Sequence, residues 1–315
     1  MKRYLTPEDV DRAGSLIRRV GRAVDVARFD AHFATEPAAR AMAVDTVVRC
    51  LRDYWNPDGG FGHGLESDFM LPDSSPMATS IGLRSLDEVG AAAGDDLVAP
   101  TIRYLERTFD PTRQGWFAVP RQVNDHPHAP WWGFDPNEGG TVIDRSWGNP
   151  TAELIGYIYK HRSLVSALDV EALVNHAVDY LNSKREFPSE HEVFCFIALH
   201  RLLPAEISEA IEPKLREAVR SLVRTDPREW GHYVPRPHHF ASDPSLAEMF
   251  GFGPDVMDPD LDDLAASVKR DGALYPVWRW GQYPEAWERA KQHWTGYITL
   301  RALLVLRAFG RCEPR

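Results

Sequence analysis

The chain has 315 residues, 43% apolar and 26% charged, with a formal net charge of −10. That is ordinary globular composition, long enough for one large domain or two small ones, and the acidic balance without a Lys/Arg block argues against nucleic acid or an anionic membrane as a partner. The start, MKRYLTPEDVDRAG, has no apolar core behind its basic residues and is not read as a secretory signal. No apolar run approaches the roughly 20 residues that span a bilayer, and Cys50, Cys195 and Cys312 are isolated, as reduced thiols are. A cytoplasmic protein without stable membrane insertion is expected; its oligomeric state stays open.

Strand-like alternation is almost absent. A helical pattern runs over 8–33, after Thr6-Pro7, where Thr caps and Pro takes the first turn. Apolar residues at helical spacing predict further helices over 38–55, 77–89, 95–109, 150–161, 170–181, 190–203, 205–223, 244–250, 260–268 and 293–309. Some of these are charged on one face and end in a Gly-rich turn. Others, above all 190–203, are apolar nearly all round, which predicts burial on several sides. Outer amphipathic helices around inner buried ones would give that alternation.

The stretch 56–79, NPDGGFGHGLESDFMLPDSSPMAT, joins two of these helices. Asp58-Gly59-Gly60 is a tight turn, and His63, Glu66, Asp68 and Asp73 follow within eleven residues, just before a helix start. A tightly shaped loop rich in titratable groups is the first place to look for function.

The turns recur. Asp58-Gly59-Gly60-Phe61, Gln114-Gly115-Trp116-Phe117, Trp230-Gly231-His232-Tyr233 and Asp271-Gly272 with Tyr275 and Trp278 each follow a helix end with glycine and then an aromatic. These units resemble degenerate copies of the tryptophan-bearing repeat of squalene–hopene and oxidosqualene cyclases, whose α/α toroid is shared with the β-subunits of protein prenyltransferases. Pro72-Asp73-Ser74-Ser75-Pro76-Met77-Ala78 is similar to the cyclases' Pro-Asp-x-Asp-Asp-Thr-Ala, and Asn149-Pro150-Thr151-Ala152 to another copy. The resemblance implies an all-α fold, a single (α/α)6 toroid over 1–315. In those cyclases the middle Asp of Asp-x-Asp-Asp is the general acid. Laid onto this chain, Asp73 is the first Asp, Ser75 stands at the catalytic position and Pro76 at the third. Asp68, Glu66 or Asp73 must then supply the acid, with His63 beside them; otherwise Asp73 or Ser75 caps the next helix and Asp68 binds loop amides. The literal Asp260-Leu261-Asp262-Asp263 is read as the acidic first turn of an outer helix.

Trp131 and Trp132, stiffened by the paired prolines before them, and Trp147 and Trp280 are candidates for the walls of an aromatic pocket, with Trp278 and Trp294 as a second wall. Asp144 and Asn149 lie in the same long loop, where Asp144–Arg145 reads equally as an ion pair. His191, in Glu190-His191-Glu192 at the start of a buried helix, is a further substrate-binding candidate. That triplet points in different directions around a helix, so no metal is expected, and no nucleotide, phosphate or diphosphate motif suggests a cofactor.

Three functions fit. The first is a terpenoid-cyclase-like enzyme carrying out acid-initiated cyclisation or isomerisation of a small, largely apolar, isoprenoid-like substrate. The second is a carbohydrate-active helical-barrel enzyme using paired carboxylates. The third is a binding protein that kept the toroid and lost the acid, as Ser75 and Pro76 suggest.

Overall fold

Caps and prolines set most of the helix boundaries. The computed structural model describes residues 2–90 and 95–314, and among them the chain is all-helical, with isolated β-bridges and no strand. Thr6 forms a capping box with Asp9 at the start of α1 (Pro7–Val20). The pattern over 8–33 is two helices, because the chain turns extended at Gly21 before α2 (Ala23–Phe33). A Cβ on Gly296 would lie 2.5 Å from the Gly21 Cα, so the break lets two glycine backbones meet.

Next come α3 (Pro37–Arg52), α4 (Pro76–Glu88), α5 (Asp95–Thr108), α6 (Gly148–Lys160), α7 (Val170–Ser183) and α8 (Glu190–Leu202). Ser75, Asp169 and Ser189 cap α4, α7 and α8 through side-chain oxygens that accept backbone N–H groups. The expected helix over 205–223 is interrupted. It forms α9 (Ala205–Ser208) and α10 (Glu212–Leu222), with Pro213 in the first turn of α10, where its missing N–H costs nothing. The remaining helices are α11 (Pro237–Phe240), α12 (Pro244–Phe250), α13 (Pro254–Asp271) and α14 (Pro284–Ala308).

The chain divides into two compact units, one of Leu51–Ser221 with Trp280–Ala286, the other of Met1–Cys50, Leu222–Arg279 and Trp287–Arg315. In the first, α4, α6 and α8 are buried on most sides, and every residue of α6 from Gly148 to Ile158 is buried. By contrast α7 buries only Leu173, Val174, Ala177 and Leu181, and α10 only Leu215, Ala218 and Val219. Helix α6 packs chiefly on α8 and also on α7 and α4. The two helix types of the sequence are thus two degrees of burial.

The Gly-aromatic turns dock in a repeated way. The Phe61 N–H donates to Thr79 Oγ1 of α4 at 3.1 Å, and the Trp116 N–H donates to Thr151 Oγ1 of α6, also at 3.1 Å. In the other unit the Leu274 N–H, just after Gly272, donates to Thr299 Oγ1 of α14 at 2.9 Å. Each bond gives a loop amide a partner inside a helix. Thr79→Val and Thr151→Val keep the side-chain shape but leave that buried amide without its acceptor. Each is expected to cost about 1–3 kcal/mol in urea unfolding. Unchanged midpoints would show that the bonds do not hold the turns.

In the second unit, Asp260 is fully buried and accepts from Arg236 Nε at 2.8 Å and from the His238 backbone N–H at 2.7 Å, with His238 Nδ1 at 2.8 Å. Asp262 pairs with Arg311 at 2.7 Å and Asp263 with Arg236 at 2.8 Å. The expected acidic first turn is corrected here. Helix α13 begins six residues earlier, at Pro254, and these carboxylates answer cations rather than the helix dipole. Burial alone would raise the Asp260 pKa, but the charges and hydrogen bonds of His238 and Arg236 hold it well below the usual carboxylate range.

His293 of α14 behaves in the opposite sense. Burial, reinforced by Arg22 and opposed by Asp25, pushes its imidazole down to about 4. The folded chain then binds fewer protons than the unfolded chain between roughly pH 6.5 and pH 4. The neutral imidazole's contribution is complete above the unfolded pKa and declines as pH falls through that window. His293→Phe is therefore expected to flatten the fall in melting temperature over this range, and an equally steep fall in the variant would refute the assignment.

Candidate functional site

Backbone hydrogen bonds shape the loop before α4. The Gly62 N–H donates to Tyr54 O at 2.8 Å, the Asn56 N–H to Gly60 O at 2.9 Å and the Gly60 N–H to Asp58 Oδ1 at 3.0 Å. Asn56 Nδ2 reaches across to Pro72 O at 3.0 Å and Ser74 Oγ at 3.1 Å. A Cβ on Gly62 would lie 2.3 Å from Asp73 O, so glycine is what allows the two sides of the loop to close. The segment between them carries Glu66 and Asp68, which are 8% and 5% exposed.

Two other segments of the same unit meet this one. The Ala129 N–H donates to Asp68 O and the Met70 N–H to Pro127 O, both at 2.8 Å, and Phe69 bridges His128 in antiparallel fashion. Trp280 Nε1 donates to Asp68 Oδ1 at 2.8 Å, and Gln282 Nε2 donates to His128 O at 2.7 Å. Glu66 Oε1 accepts the Asp68 N–H at 3.0 Å. The Trp132 ring stands edge-on to Phe69 at 5.1 Å, and the Tyr283 ring lies 5.6 Å from His128. The structure thus joins Glu66, Asp68, Trp132 and Trp280 of the sequence candidates and adds His128, Gln282 and Tyr283.

His128 Nδ1 lies 2.7 Å from His126 O. A carbonyl only accepts, so Nδ1 carries the proton, and in the neutral ring Nε2 holds the lone pair. The signal in the sequence was a histidine held between prolines ahead of two tryptophans. The arrangement brings two buried carboxyl groups, an imidazole and two indoles onto three contacting segments.

The other candidates lie elsewhere. His63 and Asp73 are exposed, and His63 pairs with Asn56 Oδ1 at 2.9 Å. Trp131 is half-buried on the same short turn as Trp132. Asp144 is no partner of Arg145. Its Oδ1 accepts the Ala118 N–H, and its Oδ2 accepts both the N–H and the hydroxyl of Thr141, each bond 2.7 Å long. Arg145 faces Glu138 instead, at 3.6 Å. Asp144 is therefore a loop organiser.

Trp147 and Asn149 belong to a second buried polar group. Trp147 donates to Arg113 O at 3.0 Å and packs 4.5 Å from Tyr180, while Asn149 Oδ1 lies 3.6 Å from Cys195 Sγ. At its centre Glu192 accepts the Gly148 N–H and the Tyr180 hydroxyl, both at 2.9 Å, and pairs with Lys184 at 2.8 Å. Burial raises the Tyr180 phenol above its ordinary value, and Glu192 adds to the rise. Sequence reasoning treated Glu192 only as one third of a triplet. His191 beside it is half exposed and touches Phe194 edge-on.

Trp278 and Trp294 lie in the other unit, edge-on to each other at 5.1 Å, with Tyr233 and Tyr297 beside them. That unit also carries an open groove of about 430 Å³ lined by Phe29, Phe33, Ala39 and Met42, with none of the candidate residues in it. Among the described residues no three His, Cys, Asp or Glu side chains gather as a metal site, and no helix is long and apolar enough to cross a membrane. No protein-family model, curated protein or solved structure matches the chain.

Proposed function

We propose that the protein is a terpenoid-cyclase-like enzyme that starts cyclisation or isomerisation of a small, isoprenoid-like substrate with an acid from the Glu66–Asp68 segment. The observation that carries this reading is Asp68, buried and oriented by the indole of Trp280. Asp68 is the proposed proton donor, held in place through its Oδ1, which accepts from Trp280. Glu66, held by the Asp68 amide, is placed to receive a proton when the cation collapses. The faces of Trp280 and Trp132 would stabilise positive charge on carbon. The exposed His63 and Asp73 take no part in the acid step.

The toroid belongs to the same proposal. It is supported by the contrast between buried α4, α6 and α8 and one-sided α7 and α10, and by the recurring turn-to-threonine bond. The pairing of two buried carboxylates with His128 and Gln282 also suits a carbohydrate-active enzyme, which needs two acids and polar contacts around a sugar.

A thermal-shift screen against isoprenoids and oligosaccharides tests the proposal. A ligand at ~100 times its dissociation constant adds about 2.7 kcal/mol to stability. Stabilisation by isoprenoids is the expected result; stabilisation by oligosaccharides alone would transfer the site to glycoside chemistry.

A further inference from the structure

Trp132 is 5% exposed, and its indole Nε1 is buried without a hydrogen-bond partner. This is costly, because a buried donor without an acceptor forfeits the hydrogen bond it made with water. The other indole of the site, Trp280, spends its N–H on Asp68. Trp132 is held in place by two constraints. Its backbone N–H donates to Ala129 O at 2.9 Å, closing a tight turn, and the Ala129 N–H is in turn bonded to Asp68 O at 2.8 Å. Its ring is fixed against Phe69, the residue after Asp68. The orphan donor is thus built into a segment bonded directly to the one that carries the candidate acid.

Buried polar groups without a protein partner in an otherwise well-bonded site mark a place where something else supplies the bond. We infer that Trp132 Nε1 is a ligand-recognition donor, and that the molecule bound beside Asp68 carries a neutral oxygen (a hydroxyl, ether or carbonyl) that accepts from it. The neighbouring carboxyls of Glu66 and Asp68 favour a neutral acceptor over an anionic one. This rests on the carboxylate segment being the ligand site, and it narrows the substrate from an apolar hydrocarbon to an oxygenated molecule. An isoprenoid alcohol and a sugar share that chemistry.

The test uses the full chain labelled with 15N at tryptophan, with the Trp132 indole resonance assigned by its loss in Trp132→Phe. Three probes are titrated: geraniol, the hydrocarbon myrcene, and cellobiose. The inference predicts that the Trp132 indole N–H resonance moves with geraniol or with cellobiose, and not with myrcene. The two oxygenated probes tell an isoprenoid source from a sugar source. Trp132→Phe, which keeps a ring against Phe69, should bind the effective probe about tenfold more weakly, the loss of one hydrogen bond.

A Trp132 resonance indifferent to both oxygenated probes, one that moves equally with myrcene, or parental affinity in Trp132→Phe would overturn the inference. The Trp132 resonance is also identified in the parent by its nuclear Overhauser contacts to the Phe69 ring, so a poorly folded variant does not spoil the titration. Asp68→Asn is titrated alongside. Loss of turnover in that variant together with a silent Trp132 resonance in the parent defeats this inference alone. A responsive Trp132 with full turnover in Asp68→Asn defeats the acid role alone.

Discussion

Asp68→Asn is expected to lower turnover at least about a hundredfold, the usual scale for a lost general acid, with almost no change in melting temperature. The two effects separate because of one bond. The amide keeps an oxygen that accepts the Trp280 N–H, now 2.8 Å from Asp68 Oδ1, and replaces the ionisable oxygen with an NH2 group that cannot act as the acid. Asp68→Ala, by contrast, leaves the Trp280 donor buried without its acceptor and should lose stability as well as activity. Product formation followed by gas chromatography, beside a melting curve, reads both. Full turnover in Asp68→Asn would remove Asp68 from the chemistry, and a large drop in melting temperature would make its role structural.

Glu192→Leu should be among the most destabilising single changes, at about 3–5 kcal/mol. Glu192 is 1% exposed and answers three groups at once: the Gly148 N–H that begins α6, the Tyr180 hydroxyl on α7 and the Lys184 ammonium just beyond it. Leucine fills similar volume but accepts nothing. Lys184 and Tyr180 are only part-buried and bond each other at 3.1 Å, whereas the Gly148 amide is left buried without an acceptor. Glu192→Gln keeps an acceptor oxygen and should cost clearly less. Urea unfolding of the pair checks this, and equal midpoints for Glu192→Leu and the parent would show that the network carries no net stability.

What could be anticipated from the chain divides along physical lines. Thr6-Pro7 and Ser75-Pro76 announced helix starts because capping is local chemistry, and both caps are present. The alternation of charged-face and apolar helices was visible because burial leaves a periodic mark on composition. The Gly-aromatic turns were recognisable as a repeat, but their threonine partners were hidden, since Phe61 finds Thr79 and Trp116 finds Thr151 only after the helices pack.

The site was half legible. Glu66 and Asp68 stood out as acids in a shaped loop. That Trp280 would donate to Asp68 from 212 residues away is a tertiary fact with no periodicity or motif behind it. The same reason explains why His128 was seen in its loop but given no role, and why Asp144 bonds Ala118 rather than Arg145. The break at Gly21 likewise depends on Gly296, a partner far along the chain.

The most direct test of the Glu66–Asp68 segment as a catalytic acid is a product analysis. The parent chain and Asp68→Asn are incubated with a panel of isoprenoids, oxygenated members included, and with oligosaccharides, and the products are resolved by mass. The proposed enzyme should convert an isoprenoid to rearranged or cyclised product without hydrolysing any oligosaccharide, and Asp68→Asn should fail to do so. Oligosaccharides cleaved with the gain of a water, or conversion that survives Asp68→Asn, would contradict it.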